Sequence, residues 1–230
     1  MKSALVTGGS SGIGLAIARM LREEGYGLTV AARRRERVDA AAGELDALGI
    51  TANVADEDDC ARVVAAHRER FGGLDVLVNS AGIGIAGPVR DLKTKHLDLQ
   101  LGVNLRGLVL TTREALPLLC AAKGLVVNLA SIAGTIPTPG LSIYGATKAA
   151  VISFTKSLNY ELEEDGVRVT AICPGFVDTP MAAWTGLETE AMIRAEDCAE
   201  LVRMLLRLGP AARVPEIVVE RVGERPGALP

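Results

Sequence analysis

Tyr144 and Lys148 stand four residues apart in LSIYGATKAAVISF, Leu141 to Phe154, an apolar, helix-prone run in a chain with three tyrosines. On a helix that spacing puts both side chains on one face, so the ammonium reaches the space around the phenol. A phenol with an ordinary pKa of about 10 is almost wholly protonated at neutral pH, and a nearby cation favours its phenolate. The pair therefore offers a group that can give a proton and take it back. A packed tyrosine beside a solvated lysine would leave the same spacing, so the rest of the chain must decide.

A second cluster suits a phosphate. In ALVTGGSSGIGLAIARML, Gly8, Gly12 and Gly14 fall between a short apolar run and the first segment of helical period. Glycine permits a tight turn and close backbone approach, and the helix start presents unpaired N–H groups at the positive end of its dipole. At the first strand-to-helix junction this pattern predicts a dinucleotide pyrophosphate site. The next apolar run ends VAARRRER, with no carboxylate before Arg33 to take ribose hydroxyls. Arg33 and Arg34 suit a 2′-phosphate, so NADP(H) is the preferred cofactor, although the glycine turn serves NAD(H) equally. The same arginines would also suit the solvated start of a helix.

These residues need elements to hold them. The β-rich runs ALVT, GLTVAA, ITANV, LDVLVN, GLVVNLA, VRVTAIC and PEIVVERV alternate with amphipathic stretches. Ile13, Ile17, Met20 and Leu21 mark one such stretch, and Val38, Ala41, Ala42 and Leu45 another. The strands are almost continuously apolar, as expected when helices cover both faces of a parallel sheet, so the fold class is α/β. GERPGALP at the C-terminus reads as a coil tail.

Composition narrows the partners. The chain has 230 residues, a formal charge of −3 with both signs spread along it, and one dense basic run, RRRER. That argues against nucleic acid, and no apolar stretch approaches the ~20 residues of a membrane span. The start, Met1 and Lys2 followed by SALVTGG, has no signal-peptide character, so the expected compartment is the cytoplasm. Cys60, Cys120, Cys173 and Cys198 are scattered and read as free thiols rather than metal ligands. His67 lies on the stripe Cys60, Val63, Val64, His67, Phe71 and reads as a packed histidine. No metal site is expected.

Over nearly its whole length the sequence resembles the short-chain dehydrogenase/reductase family. The matching features are TGGSSGIG at Thr7–Gly14, NSAG at Asn79–Gly82, Asn104 in VNLRG, Ser131 after VVNLA, YGATK at Tyr144–Lys148 and PGFVDTP at Pro174–Pro180, all in the family's order. The resemblance implies a single Rossmann-type doubly wound domain over residues 1–230. It implies a catalytic set of Asn104, Ser131, Tyr144 and Lys148. Ser131 would hold the substrate oxygen and Tyr144 exchange its proton, while Lys148 would also hold the nicotinamide ribose and Asn104 support a water-mediated relay. Implied cofactor contacts are Gly8, Ser10, Ser11, Gly12, Ile13, Gly14, Arg33, Arg34, Asn53, Val54, Asn79, Ala81, Gly82, Tyr144, Lys148, Pro174, Gly175, Val177 and Thr179.

Some positions depart from the family pattern. Asn53 in ITANVAD replaces an aspartate common beside the adenine, and Ser80 replaces a second asparagine in NSAG. The segment from Thr179 to a helix near Glu196, which lids the substrate in the family, is short. The ending VPEIVVERVGERPG lacks the usual aspartate-glycine-glycine and resembles the branch that reduces small hydroxy acids, aldehydes and assorted ketones. Pocket candidates are Ile132, Ile136, Met181 and Trp184. The implied activity is NADPH-dependent reduction of an aldehyde, ketone or 3-oxo compound by a homodimer or homotetramer. Reduction of 3-oxoacyl thioesters, or a non-catalytic dinucleotide-binding regulator, are the alternatives.

Overall fold

The computed structural model describes residues 1–223. All but the first residue of the proposed tail GERPGALP lies outside them. Strands β1 (Ser3–Thr7), β2 (Gly27–Ala32), β3 (Leu48–Thr51), β4 (Val76–Asn79), β5 (Leu125–Leu129), β6 (Arg168–Pro174) and β7 (Glu216–Val219) form one parallel sheet in the order β3-β2-β1-β4-β5-β6-β7. The order reverses between β1 and β4, and a crevice opens there beyond the carboxyl ends of the strands.

Alternation along each strand splits the core in two. Ala4 and Val6 face helices α1 (Gly12–Glu23), α2 (Arg35–Leu45) and α7 (Ala195–Arg207), packing with Ile17, Leu21, Leu45 and Val202. Leu5, between them, faces α3 (Glu57–Phe71), α5 (Gly107–Ala122) and α6 (Ser142–Glu161), packing with Val63, Val64, Leu119 and Leu158. Every residue of β1 and β5 is buried, which is why these runs carry apolar side chains at successive positions. Burying each Leu or Ile contributes about 1.5–3 kcal/mol, so both layers are firmly held to the sheet.

Two strands differ most from the sequence reading. The third strand is Leu48–Thr51 rather than ITANV, because the chain turns at Asn53. There the side-chain Oδ1 accepts from Ala55 N at 3.3 Å and the backbone carbonyl accepts from Asp56 N at 2.8 Å. Asp56 then caps α3 by accepting from Asp59 N. The last strand is four residues, Glu216–Val219, rather than the full PEIVVERV. Helix α4 (Thr94–Leu101) runs through a π turn, Gly102–Arg106, directly into α5, so one long helix carries a local widening at Asn104. No helix among the described residues is long and apolar enough to cross a membrane.

Candidate active site

Two adjoining cavities open at the carboxyl ends of the strands, sharing Ile13, Gly84, Thr179 and Met181 as a common wall. The first, about 510 Å³, runs from the turn before α1 to the end of β2. Gly8, Ser10, Ser11, Gly12, Ile13, Arg33, Arg34, Val54, Ala81, Gly82 and Thr179 line it, all of them anticipated from the sequence. Ser11 caps α1 without a side-chain hydrogen bond, and the first turn of α1 holds no acidic residue. The leading N–H groups of α1 are thus left for an anion, in contrast to α3, whose first turn is capped by Asp56 and carries Glu57, Asp58 and Asp59. Gly12 sits at φ +53°, and a Cβ there would come within 3.0 Å of Thr179 Cγ2. A side chain would therefore both strain the backbone and narrow the cleft.

Among the described residues no carboxylate lines this cleft, while Arg33, Arg34 and also Arg37 do. The guanidinium groups of these three make no hydrogen bond or ion pair to another described residue. Arg37 was the arginine the sequence reading left out. Its signal was spacing, since one helical turn separates it from Arg33 and Arg34 at the start of α2. The cleft accordingly fits a dinucleotide: glycine backbone and a bare helix start for the pyrophosphate, and guanidinium groups where the adenosine ribose would lie.

The second cavity, about 420 Å³, holds Ser131, Tyr144, Pro174, Gly175, Val177 and the anticipated Ile132, Ile136, Met181 and Trp184. Ser131 ends the segment after β5 and caps a short 3₁₀ turn, its Oγ accepting from Ala133 N at 3.2 Å. That turn lies directly on α6: a Cβ on Gly145 would sit 2.6 Å from the Ala133 carbonyl oxygen, so only glycine allows the approach. The closeness puts the Ser131 and Tyr144 hydroxyls on the wall of one cavity. Ser131 is thus both the cap of the turn and a hydroxyl open to the site.

Lys148 lies one turn along α6 from Tyr144, its Nζ 5.7 Å from the phenol ring centroid. It is buried, and its ammonium donates to Leu129 O at 2.6 Å. Desolvation lowers its pKa to about 8. The sequence reading had the ammonium drawing the phenol down. In the structure burial instead pushes Tyr144 above its ordinary value, the nearby Ser131 hydroxyl acting against that rise. Without another positive charge in the cleft, Tyr144 is held as the neutral acid.

Asn104 is buried in the π turn. Its Oδ1 accepts from Ile83 N at 2.8 Å, and its Nδ2 donates to Ile83 O at 2.9 Å and to Thr147 Oγ1 at 3.1 Å. Thr147 Oγ1 in turn donates to Tyr144 O at 2.7 Å. The amide therefore ties the loop after β4, whose Ile83 and Gly84 line the dinucleotide cleft, to the turn of α6 that bears Tyr144. One turn earlier, fully buried Gln100 accepts from Ile85 N at 3.2 Å and steadies the same loop. Nothing in the sequence reading singled out Gln100; its signal was a polar residue four positions before Asn104 on the same helix face.

Lys148, Asn104, Gly14, Asn53 and Asn79 line neither cavity. Asn53 is exposed, with its amide oxygen turned into its own turn, so it is not brought to the cleft. Asn79 is buried beneath it, donating to Thr112 Oγ1 at 3.0 Å and Asn128 Oδ1 at 2.9 Å, which joins β4 to β5 and α5.

Residues 2–189 match the family model described as short chain dehydrogenase. An uncharacterized oxidoreductase of Staphylococcus epidermidis is 36% identical over 224 residues, covering 96% of this chain and 97% of the relative. Among solved structures, an alcohol dehydrogenase from the archaeon Thermococcus sibiricus complexed with 5-hydroxy-NADP superposes with a TM-score of 0.90 at 32% identity, covering 98% of this chain and 99% of that one. A 3-ketoacyl-(acyl-carrier-protein) reductase from Brucella melitensis complexed with NADH gives a TM-score of 0.87 at 28% identity, covering 95% and 96%.

Proposed function

The chain belongs to the short-chain dehydrogenase family and is an NAD(P)-dependent oxidoreductase, and from that premise we propose that it is an NADPH-dependent reductase. It converts an aldehyde, ketone or 3-oxo compound to the alcohol, reversibly, with Tyr144 as the proton donor. The observation that carries this reading is that the hydroxyls of Ser131 and Tyr144 share the wall of a cavity that opens into the dinucleotide cleft.

A bound dihydronicotinamide supplies a hydride, one proton with two electrons, to the carbonyl carbon. The chain supplies the rest. Ser131 and Tyr144 hold the carbonyl oxygen, and Tyr144 gives it the proton as negative charge builds there, leaving a phenolate that is re-protonated from solvent. Lys148, fixed under the site by Leu129 O, favours that phenolate and offers its ammonium to the nicotinamide ribose. Asn104 holds the loop at Ile83 against α6, so that both cavities keep their shape.

NADPH is preferred because Arg33, Arg34 and Arg37 face the cleft and no carboxylate does. Arg33→Asp lowers the ratio of kcat/KM for NADPH over NADH by about ten- to a hundredfold, the worth of an exposed charge-assisted phosphate contact. A ratio unmoved by this change counts against the assignment. The enzyme acts in the cytoplasm as a homodimer or homotetramer, which light scattering tests: a monomer of 24.0 kDa at micromolar concentration overturns it. The activity itself is tested by following NADPH oxidation over a panel of aldehydes, ketones and 3-oxo esters. No oxidation with any of them, in protein shown to bind NADPH, favours the regulator instead.

A further inference from the structure

Among the described residues, none that lines the cavity beside Tyr144 is charged. Besides the indole N–H of Trp184, its polar side chains are the hydroxyls of Ser131, Thr138, Tyr144 and Thr179. Two of these are already committed: Thr138 Oγ1 donates to Ile136 O at 3.3 Å, and Thr179 Oγ1 to Val177 O at 3.2 Å. Asp178 lies between two lining residues in the chain but is itself exposed and outside the wall. The uncommitted hydroxyls are therefore those of Ser131 and Tyr144. Apart from the Trp184 indole N–H and the two committed threonine hydroxyls, the other described side chains of the wall are apolar.

The outer wall has the same character. Trp184 stands edge-on to Phe176 with ring centroids 6.2 Å apart, and Met181 lies beside them. Both Trp184 and Met181 keep about half their surface exposed, 54% and 47%. A ligand with an apolar body would cover that surface at the cavity mouth. The volume, about 420 Å³, falls within the range of about 300–1,000 Å³ typical of small-molecule sites.

We infer that the ligand of this cavity is a neutral carbonyl compound, or its alcohol, with an apolar body. Compounds that carry a carboxylate, among them the small hydroxy and oxo acids, are rejected. The inference rests on the reductase reading for the role of Ser131 and Tyr144, but the discrimination comes from the walls. A carboxylate drawn into the cavity loses water and finds no cation among the described lining residues and, away from the reacting oxygen, only the indole N–H of Trp184 as an uncommitted side-chain donor, whereas an apolar group there gains from burial. This selects against the hydroxy acids that the C-terminal resemblance had left open.

Trp184 is the only tryptophan in the chain, so its fluorescence reports ligand in this cavity without turnover. The test titrates the intact protein, with saturating NADP⁺, with 4-methylacetophenone and with 4-acetylbenzoate, which differ at one ring substituent. The neutral ketone is expected to bind at least a hundredfold tighter. Ile136→Arg, which places a cation on the wall, is expected to shrink that preference at least tenfold, with unchanged NADP⁺ binding showing that the fold survives. Equal binding of the two ketones by the parent protein overturns the inference, as does no response of Trp184 to the neutral one at millimolar concentration. NADPH oxidation is measured separately. Selective binding without NADPH oxidation keeps the ligand class and overturns the reductase reading, while reduction of both ketones with equal kcat/KM keeps the reductase and overturns the ligand class.

Discussion

Two buried polar clusters, one around His67 and one around Tyr144 and Lys148, treat their titratable groups in opposite ways. His67 Nδ1 meets Thr29 Oγ1 at 2.8 Å, and Nε2 meets Gly73 O at 2.9 Å and Ser3 Oγ at 3.2 Å. Both ring nitrogens have fixed partners, the side chain is fully buried, and burial pushes the pKa below its ordinary value. The ring is a neutral tie between β1, β2 and α3. In the other cluster Tyr144 faces a cavity, and Lys148 keeps an ammonium where burial has lowered its pKa to about 8. The difference is whether hydrogen-bonding capacity is used up by the fold or kept for something else.

The comparison breaks most readily at Tyr144. Tyr144→Phe removes one transferable proton and no packing, so kcat should fall about a thousandfold, within the range for a general acid, while NADPH affinity and melting temperature stay unchanged. Activity within tenfold of the parent ends the assignment. His67→Leu is the converse. It strips partners from Ser3, Thr29 and Gly73 and should cost about 2–3 kcal/mol in urea unfolding, with kcat per folded molecule kept within twofold. A large loss of kcat without loss of stability would place His67 among the functional groups.

Lys148→Met should separate the two properties in one residue. Turnover and NADPH affinity both fall, yet stability at pH 7 rises. A lysine held at about 8 instead of 10.5 costs the folded state on the order of 3 kcal/mol while it is charged. Part of that gain, about 1–2 kcal/mol, is offset by the unpaired Leu129 carbonyl. The cost in the parent is fully present below pH 8 and disappears as pH rises through 8 to 10.5, because there the unfolded chain holds the extra proton. A variant less stable than the parent at pH 7 would show that the ammonium is better solvated than its burial implies.

The smallest effect sharpens the His67 side. A histidine with lowered folded pKa contributes fully above its ordinary 6.5 and loses that contribution as pH falls toward the folded value. The parent should lose up to about 1.4 kcal/mol per pH unit below pH 6.5 from this group. His67→Leu should lack that component, and identical slopes in urea titrations at a series of pH values would refute the contrast.

Much of this was legible in the residues. Continuous apolar runs announced a sheet covered on both faces, and the turn Gly8–Gly14 with Arg33 and Arg34 marked one cleft before any coordinates. Helical spacing put Tyr144 and Lys148 on one face, and the motifs shared with the family made them site residues. Three things were not legible. Asn53 turns its amide into a local Asx turn, a competition between side chain and strand that composition does not resolve. Gln100 matters through Ile85, fifteen residues back, and Arg37 through a helix start whose direction the sequence leaves open.

By itself the sequence determined which groups would be present and their local order: periodicity fixes which side chains share a face, and glycine fixes where the backbone can turn. Only the tertiary structure decided their state. Whether Tyr144 is acid or phenolate, and whether Lys148 and His67 keep or lose a proton, depends on desolvation and on partners brought from distant strands. Those are properties of a packed site, because the free energy of a buried charge is set by everything around it and not by its neighbours in the chain.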